Sequence, residues 1–212
     1  MDHLTPPRTT AIIHVVDDDD AVRDSLRFLL EPEGWTVRTY GNAMALLDTE
    51  LGSAGCVLTD FHMPEIDGLE LQARLAARGT LLPVIVITGH GDVSAAVRAM
   101  RAGAVDFLEK PFSEEDLMNA IRRALEANRC ALAASAGVTQ AARRIAGLTP
   151  REREVLDLLV TGKSNKEMAL VLGTSPRTID VHRARVFQKL DADSIPDLVH
   201  LVLAARQGQS PS

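Results

Sequence analysis

Five short apolar runs rich in β-branched residues punctuate the first 126 positions: IIHVV, WTVRTY, CVLTD, PVIVIT and AVDFL. Between them apolar residues recur at helical spacing. Short strands alternating with helices are the pattern of a parallel sheet covered on both faces, because every parallel connection needs a crossover. The reading is five strands and five helices. After Gly147 only helical periodicity remains. LTPREREVLDLLVTG opens with a Thr149 cap, Pro150 in the first turn and Glu152 in capping-box position, and stops at Gly162. SNKEMALVLG and SPRTIDVHRARVFQKL predict a short helix, a turn around 173–175 and a longer helix from Pro176; SIPDLVHLVLAAR adds a last one. Residues 127–147 are rich in Ala, Arg, Ser and Gly, which reads as a linker, a helical extension that frays at Gly137. The expected organisation is an α/β domain over 10–126, a linker over 127–147 and an all-α domain over 148–207.

A chain of 212 residues suits two modest domains. No apolar run approaches the roughly 20 residues of a membrane span, and MDHLTPPRTT lacks the basic start and apolar stretch of a secretory signal, so a cytoplasmic protein without membrane contact is expected. Cys56 and Cys130 have no metal-ligand spacing and read as reduced thiols. The net charge of −6 is uneven: nine Lys/Arg face eight Asp/Glu from Leu148 onward, and fourteen face twenty-one before it. Residues 163–189 hold six basic and two acidic residues. Such asymmetry points to two partners of different chemistry.

In a doubly wound sheet the chemistry gathers beyond the carboxyl ends of the strands. Asp17 and Asp18 follow the first strand, Asp60 ends the third, Thr88 the fourth and Lys110 the fifth. Three carboxylates converging there would repel one another unless a cation held them, and Mg²⁺ is the hard divalent ion that fits oxygen ligands. A carboxylate beside Mg²⁺ can attack a phosphoryl group to give an acyl phosphate while metal and lysine neutralise the equatorial oxygens. Asp60, fixed at the end of a buried strand, is the expected nucleophile. Asp17 and Asp18 would hold the metal, and Thr88 and Lys110 would offer a hydroxyl and an ammonium to phosphoryl oxygens. Asp19 and Asp20 read as helix cap and dipole partners, His14 as a core or edge residue, Phe107 by itself as core and Trp35 as packing.

VVDDD, TDFHMPEIDGLEL, VIVITGHGD and AGAVDFLEKPF, in this order, resemble the receiver domains of two-component response regulators. The resemblance implies a flavodoxin-like sheet of order 2-1-3-4-5 and phosphorylation of Asp60 by a sensor histidine kinase. It implies Mg²⁺ held by Asp17, Asp18, Asp60 and the backbone carbonyl of His62, a switch in which Thr88 and Phe107 move together, and a cis Lys110–Pro111 bond.

The helix from Pro176 to Leu190 turns Ile179, Val186 and Leu190 inward. Its opposite face carries Asp180, Val181, Ala184, Arg185 and Gln188, with Arg177 in the first turn and Arg183 and Lys189 toward the flanks; His182 also falls on a flank. A short helix, a turn and such a second helix suit the DNA major groove, with arginines on phosphates and Asp180 able to accept from cytosine N4. From LTPREREVL to VFQKL the stretch resembles the four-helix LuxR-type DNA-binding domain. The whole is similar to the NarL/FixJ response regulators, with TGHGD and SPRTIDVHRA pointing to the FixJ branch. That implies promoter DNA and RNA polymerase as partners, transcriptional activation, and a homodimer formed on phosphorylation through residues 93–109. Leu198, Leu201, Val202 and Ala205 are expected to pack on a twin or on their own domain, and the resemblance favours the twin for part of that surface. Two rivals are weighed. A phospho-aspartyl hydrolase needs a substrate-cap insertion that is not seen. A phosphorylation-independent DNA-binding protein is opposed by the intact set of Asp17, Asp18, Asp60, Thr88 and Lys110.

Overall fold

A computed structural model describes residues 11–89 and 93–207. The first position of the expected α/β domain, and His90, Gly91 and Asp92 of TGHGD, lie outside the described residues. The chain divides into two compact units between Leu132 and Ala133.

In the first unit, strands β1 (Ile12–Val16), β2 (Thr36–Tyr40), β3 (Gly55–Asp60), β4 (Val84–Thr88) and β5 (Asp106–Glu109) form one parallel sheet in the order β2-β1-β3-β4-β5. The central β3 and β4 are buried along their whole length, which is why GCVLTD and VIVIT carry so few polar residues. The edge strand β2 keeps Thr36, Arg38 and other polar groups toward water. Side chains alternate across the pleat. Ile13, Val15, Leu58, Ile85, Ile87 and Leu108 pack with Leu26 and Leu30 of α1 (Asp20–Leu30) and Leu117 and Ile121 of α5 (Glu114–Ala146). Val16, Val57, Val84 and Val86 pack on α2 (Ala43–Leu47) and α3 (Gly68–Ala77), joined by Ala99 of α4 (Val93–Arg101). Trp35 packs against the first of these clusters.

Asp19 caps α1, accepting from the Ala21 N–H at 2.8 Å, and Asp20 pairs with Arg23 one turn on. His14 is a core residue, 1% exposed, with Nδ1 3.0 Å from the Tyr40 hydroxyl. Burial, reinforced by the charge of Arg38, pulls its pKa down to about 4, so the ring is neutral. Cys56 is buried and Cys130 exposed, and both are free thiols.

The stretch expected as a linker is continuous helix: α5 runs from Glu114 to Ala146 and passes through Gly137 without fraying. Its residues belong to the packed units. Asn128, 3% exposed, ties the first unit together: its Oδ1 accepts from Gly55 N–H at 3.0 Å, and its Nδ2 donates to the carbonyls of Ser53 and Leu81. Ala141 is buried and Ile145 packs on the core of the second unit. Composition missed this because one fully bonded Asn carries no hydrophobic signal.

The second unit adds α6 (Pro150–Val160), α7 (Asn165–Val171), α8 (Pro176–Leu190) and α9 (Ile195–Gln207). Thr149 and Glu152 form the expected capping box, and Ser164 with Glu167 forms another. Ile179, Val186 and Leu190 are fully buried. Leu198, Val202 and Ala205 are buried too and Leu201 is half-buried beside them, so much of the apolar stripe of α9 packs within its own domain.

Candidate functional site

The register levels the carboxyl ends of the inner strands: Val16 faces Thr59, Asp60 faces Ile87 and Thr88 faces Glu109. Asp17, Asp60, Thr88 and Lys110 therefore emerge along one rim of the sheet. Asp60 is 8% exposed and Asp17 2% exposed. Lys110 joins them, its Nζ donating to Asp60 Oδ1 at 2.7 Å and Asp17 Oδ2 at 3.1 Å. Burial alone would lower the pKa of this ammonium; hydrogen bonds to Asp60 and Asp17 and their charges outweigh it and raise the pKa. Lys110 is thus a fixed cation. The Lys110–Pro111 bond is cis, as the resemblance implied.

Asp60 is held at both oxygens, because the His62 main-chain N–H donates to Oδ2 at 2.7 Å. Behind it, Gly68 at the start of α3 brings its main chain against β3, and its N–H bonds the Phe61 carbonyl at 3.1 Å. A Cβ at Gly68 would sit 2.6 Å from the Asp60 carbonyl oxygen, so only glycine fits. Asp17 is fixed from two sides. Its Oδ1 accepts from the Asp19 N–H at 2.9 Å, and Arg23 donates from α1 to its carbonyl at 2.6 Å. Arg23 and the close approach of Gly68 had not been singled out as site residues, although DGLEL and the Asp20-to-Arg23 spacing were visible in the chain.

The structure brings together two of the three expected carboxylates. Asp18 is exposed, and among the described residues no three His, Cys, Asp or Glu side chains close on a common point. The reason is electrostatic: Lys110 compensates Asp17 and Asp60, while a third buried carboxylate would have no partner and stays in water. Thr88 is 2% exposed, and among the described residues its hydroxyl reaches only its neighbour's carbonyl, Gly89, at 3.5 Å. His62 is exposed, its ring edge-on to Phe61. Phe107 is not core. It is 40% exposed and lines a cleft of about 310 Å³ with Leu108, Phe112 and Arg123. As to a metal, Asp17 and Asp60 bring hard carboxylate oxygens together, with Asp18 next to Asp17 in solvent, and oxygens are the donors that Mg²⁺ takes.

In the second unit α8 presents Arg177, Asp180, Val181, Ala184, Arg185 and Gln188 to solvent. Among the described residues Arg177 and Arg185 make no ion pair. Arg183 and Asp180 both bond the side chain of Asn165 on α7. Lys189 is engaged elsewhere, donating at 2.7 Å to Glu152, which is 2% exposed. That bond and the Thr149 N–H hold the Glu152 pKa down to about 2. His182 is half-buried on the flank.

Comparison with known proteins covers both units. Residues 13–122 match the response regulator receiver domain family, and residues 146–202 match the family of bacterial regulatory proteins of the luxR type. The chain is 49% identical over 194 residues to the transcriptional regulatory protein FixJ of Azorhizobium caulinodans, covering 91% of this chain and 92% of that one. It is 43% identical to FixJ of Rhizobium meliloti over 203 residues, 95% of this chain and all of that one. Among solved structures, the response regulator StyR superposes with a TM-score of 0.79 at 40% identity, over 92% of this chain and 99% of that one. Full-length FixJ from B. japonicum gives 0.58 at 45% identity, over 94% and 98%.

Proposed function

The chain belongs to the FixJ-like response regulators, transcription factors that join a receiver to a LuxR-type DNA-binding domain, and from that membership we propose that phosphorylation of Asp60 switches its binding to promoter DNA. The family is one of transcriptional regulators and not of catalytic enzymes, and its two domains imply a sensor kinase and promoter DNA. No helix among the described residues is long and apolar enough to cross a membrane.

The observation that carries the reading is the Lys110 bridge between Asp60 and Asp17. An Asp60 oxygen attacks the phosphorus of the kinase's phosphohistidine; the P–N bond breaks, the electron pair leaves with the imidazole, which takes up a proton, and an acyl phosphate forms. Lys110 and the His62 N–H, already bonded to the Asp60 carboxylate, lie where charge accumulates on the phosphoryl oxygens. Asp17, Asp18, Asp60 and the main-chain carbonyl of His62 would hold Mg²⁺, which when bound neutralises phosphoryl charge. Thr88 turns its hydroxyl to the new phosphoryl group, and Phe107 swings from its exposed position toward the space Thr88 vacates. The face around 93–109 then favours a homodimer, and paired heads engage two half-sites with raised effective concentration. Arg177 and Arg185 grip phosphates, and Asp180, Val181, Ala184 and Gln188 meet base edges. RNA polymerase recruitment and activation complete the proposal. Moving from mostly off to mostly on takes a bias of about 5.5 kcal/mol.

The test uses acetyl phosphate and Mg²⁺. The wild type takes up one phosphoryl group per chain, dimerises and binds DNA more tightly, and Asp60→Asn does none of these. Steady multiple turnover of a small phosphate monoester such as p-nitrophenyl phosphate, supplied with Mg²⁺ in a parallel assay, would indicate a hydrolase instead. Phosphate-stimulated dimerisation that survives Asp60→Asn would move the switch elsewhere.

A further inference from the structure

Asp180 and Arg183 lie three residues apart on α8, a spacing at which opposite charges pair directly. They do not pair directly here. The side-chain amide of Asn165, half-buried at the start of α7, stands between them: its Nδ2 donates to Asp180 Oδ1, and its Oδ1 accepts from the Arg183 guanidinium. A side-chain amide carries its donor and its acceptor on two separate atoms, so Asn165 serves both partners at once. The consequence is a carboxylate committed at one oxygen and a guanidinium committed at one N–H, with Oδ2 and the remaining N–H groups lacking a partner among the described residues.

We propose that Asn165 is a positioning residue for base discrimination, holding Asp180 so that its second oxygen accepts from an exocyclic amino group at a base edge while Arg183 is kept off it. The proposal rests on the reading of α8 as the element that meets the bases. Without Asn165 the two charges collapse onto each other, and the carboxylate is drawn along the helix surface and away from the groove. An acceptor facing the major groove selects cytosine N4, and a mismatch at a well-read pair changes affinity by roughly 5- to 150-fold.

The experiment selects duplexes from a random-sequence pool with the full-length phosphorylated chain, then measures affinity for the enriched and for an unrelated duplex. For Asn165→Ala we expect discrimination at one base pair per half-site to fall about 10-fold, with affinity for unrelated DNA and its salt dependence within twofold of wild type. The exchange of Asn165→Asp with Asp180→Asn keeps both hydrogen bonds: Arg183 still donates to residue 165, and only the bond between residues 165 and 180 changes its donor. It should restore stringency at that same pair while moving the preference toward adenine, which an amide reads through N6 and N7. Enrichment of an unchanged motif by Asn165→Ala, or parallel loss of specific and unrelated binding, reduces Asn165 to an interhelical tie and overturns the proposal. If the wild type itself enriches no motif, the base-reading assignment of α8 is what fails, and the two failures are told apart by that control.

Discussion

Replacing Gly68 by alanine puts a methyl group against the main chain that carries Asp60. The added carbon would lie 2.6 Å from the Asp60 carbonyl oxygen, 3.2 Å from Phe61 Cα and 3.3 Å from Thr59 Cγ2. Ordinary contact begins at 3.4 Å, so the end of β3 and the start of α3 must part by about 0.8 Å. Two of the three obstructing atoms are backbone, so no rotamer change relieves the clash. Overpacking of this kind costs about 1–3 kcal/mol, which leaves the unit folded. The chemistry is less tolerant. Asp60 Oδ1 and Oδ2 are aligned by Lys110 and the His62 N–H at 2.7 Å each, and a displacement near 1 Å in a reacting group costs about 100-fold in rate. Gly68→Ala should therefore take up phosphate from acetyl phosphate some 10- to 100-fold more slowly at saturating donor and Mg²⁺, with an unmodified thermal transition for the second unit. Phosphorylation within twofold of wild type would show that the close approach does not set the position of the acceptor.

Three further outcomes are expected. Asn128→Ala strips the Gly55 N–H and two carbonyls of their partner and should lower stability by about 2–4 kcal/mol in urea titration, whereas Arg122→Ala at an exposed position of α5 changes it by less than about 0.5 kcal/mol; equal effects refute the staple. His14 is neutral in the fold with a pKa of about 4, while an unfolded histidine takes up a proton near 6.5. The unfolded state then binds more protons between these values, so His14's contribution is intact above about pH 6.5 and is lost as pH falls toward 4, by an amount on the order of 3 kcal/mol. The wild-type urea midpoint should fall between pH 6.5 and 5 where that of His14→Gln stays flat. Arg177→Ala and Arg185→Ala should each reduce the slope of log affinity against log salt by about 1, and Lys189→Ala should instead destabilise the second unit by freeing buried Glu152, leaving the slope unchanged; a lowered slope for Lys189→Ala would return it to the DNA face.

What the sequence reveals is what periodicity and strand ends encode. β3 and β4 are legible because a strand buried on both faces must be apolar throughout, and α6 because Thr149, Pro150 and Glu152 are local signals. The extent of the first unit is not. Asn128 looks like linker and acts as a staple, since its partners Gly55, Ser53 and Leu81 are 47 to 75 residues away. The α9 stripe has two possible destinations, and packing, not periodicity, shows how much of it enters its own core. Phe107 misleads in the opposite sense, an aromatic in an apolar strand run whose ring faces a surface cleft. Charged residues of α8 were legible as a face but not as partners: Asp180, Arg183 and Lys189 are committed to Asn165 and Glu152 on other helices.

The same principle bears on the proposed switch. Asp17 and Asp60 are tolerated side by side because one ammonium is shared between them, which leaves the trio at −1. An acyl phosphate at Asp60 carries about one negative charge more than the carboxylate it replaces. That excess acts on the nearest cation, Lys110. Lys110 divides its hydrogen bonds between 2.7 Å to Asp60 and 3.1 Å to Asp17, so a stronger charge on the Asp60 side draws it from the longer contact. The backbone of Lys110 is itself tied to β4, its N–H donating to the Thr88 carbonyl at 2.9 Å, and Phe107 lies three residues earlier on the neighbouring strand. On the proposed mechanism a shift of the ammonium is passed to Thr88 and Phe107 through two strands that are already hydrogen-bonded. Lys110→Arg probes this directly. The charge is retained, but a planar fork cannot share one point between two carboxylates as an ammonium does, so phosphorylation should persist at a reduced rate while DNA affinity stops responding to it. An Arg variant whose DNA binding still rises on phosphorylation would break the proposed link between the bridge and the switch.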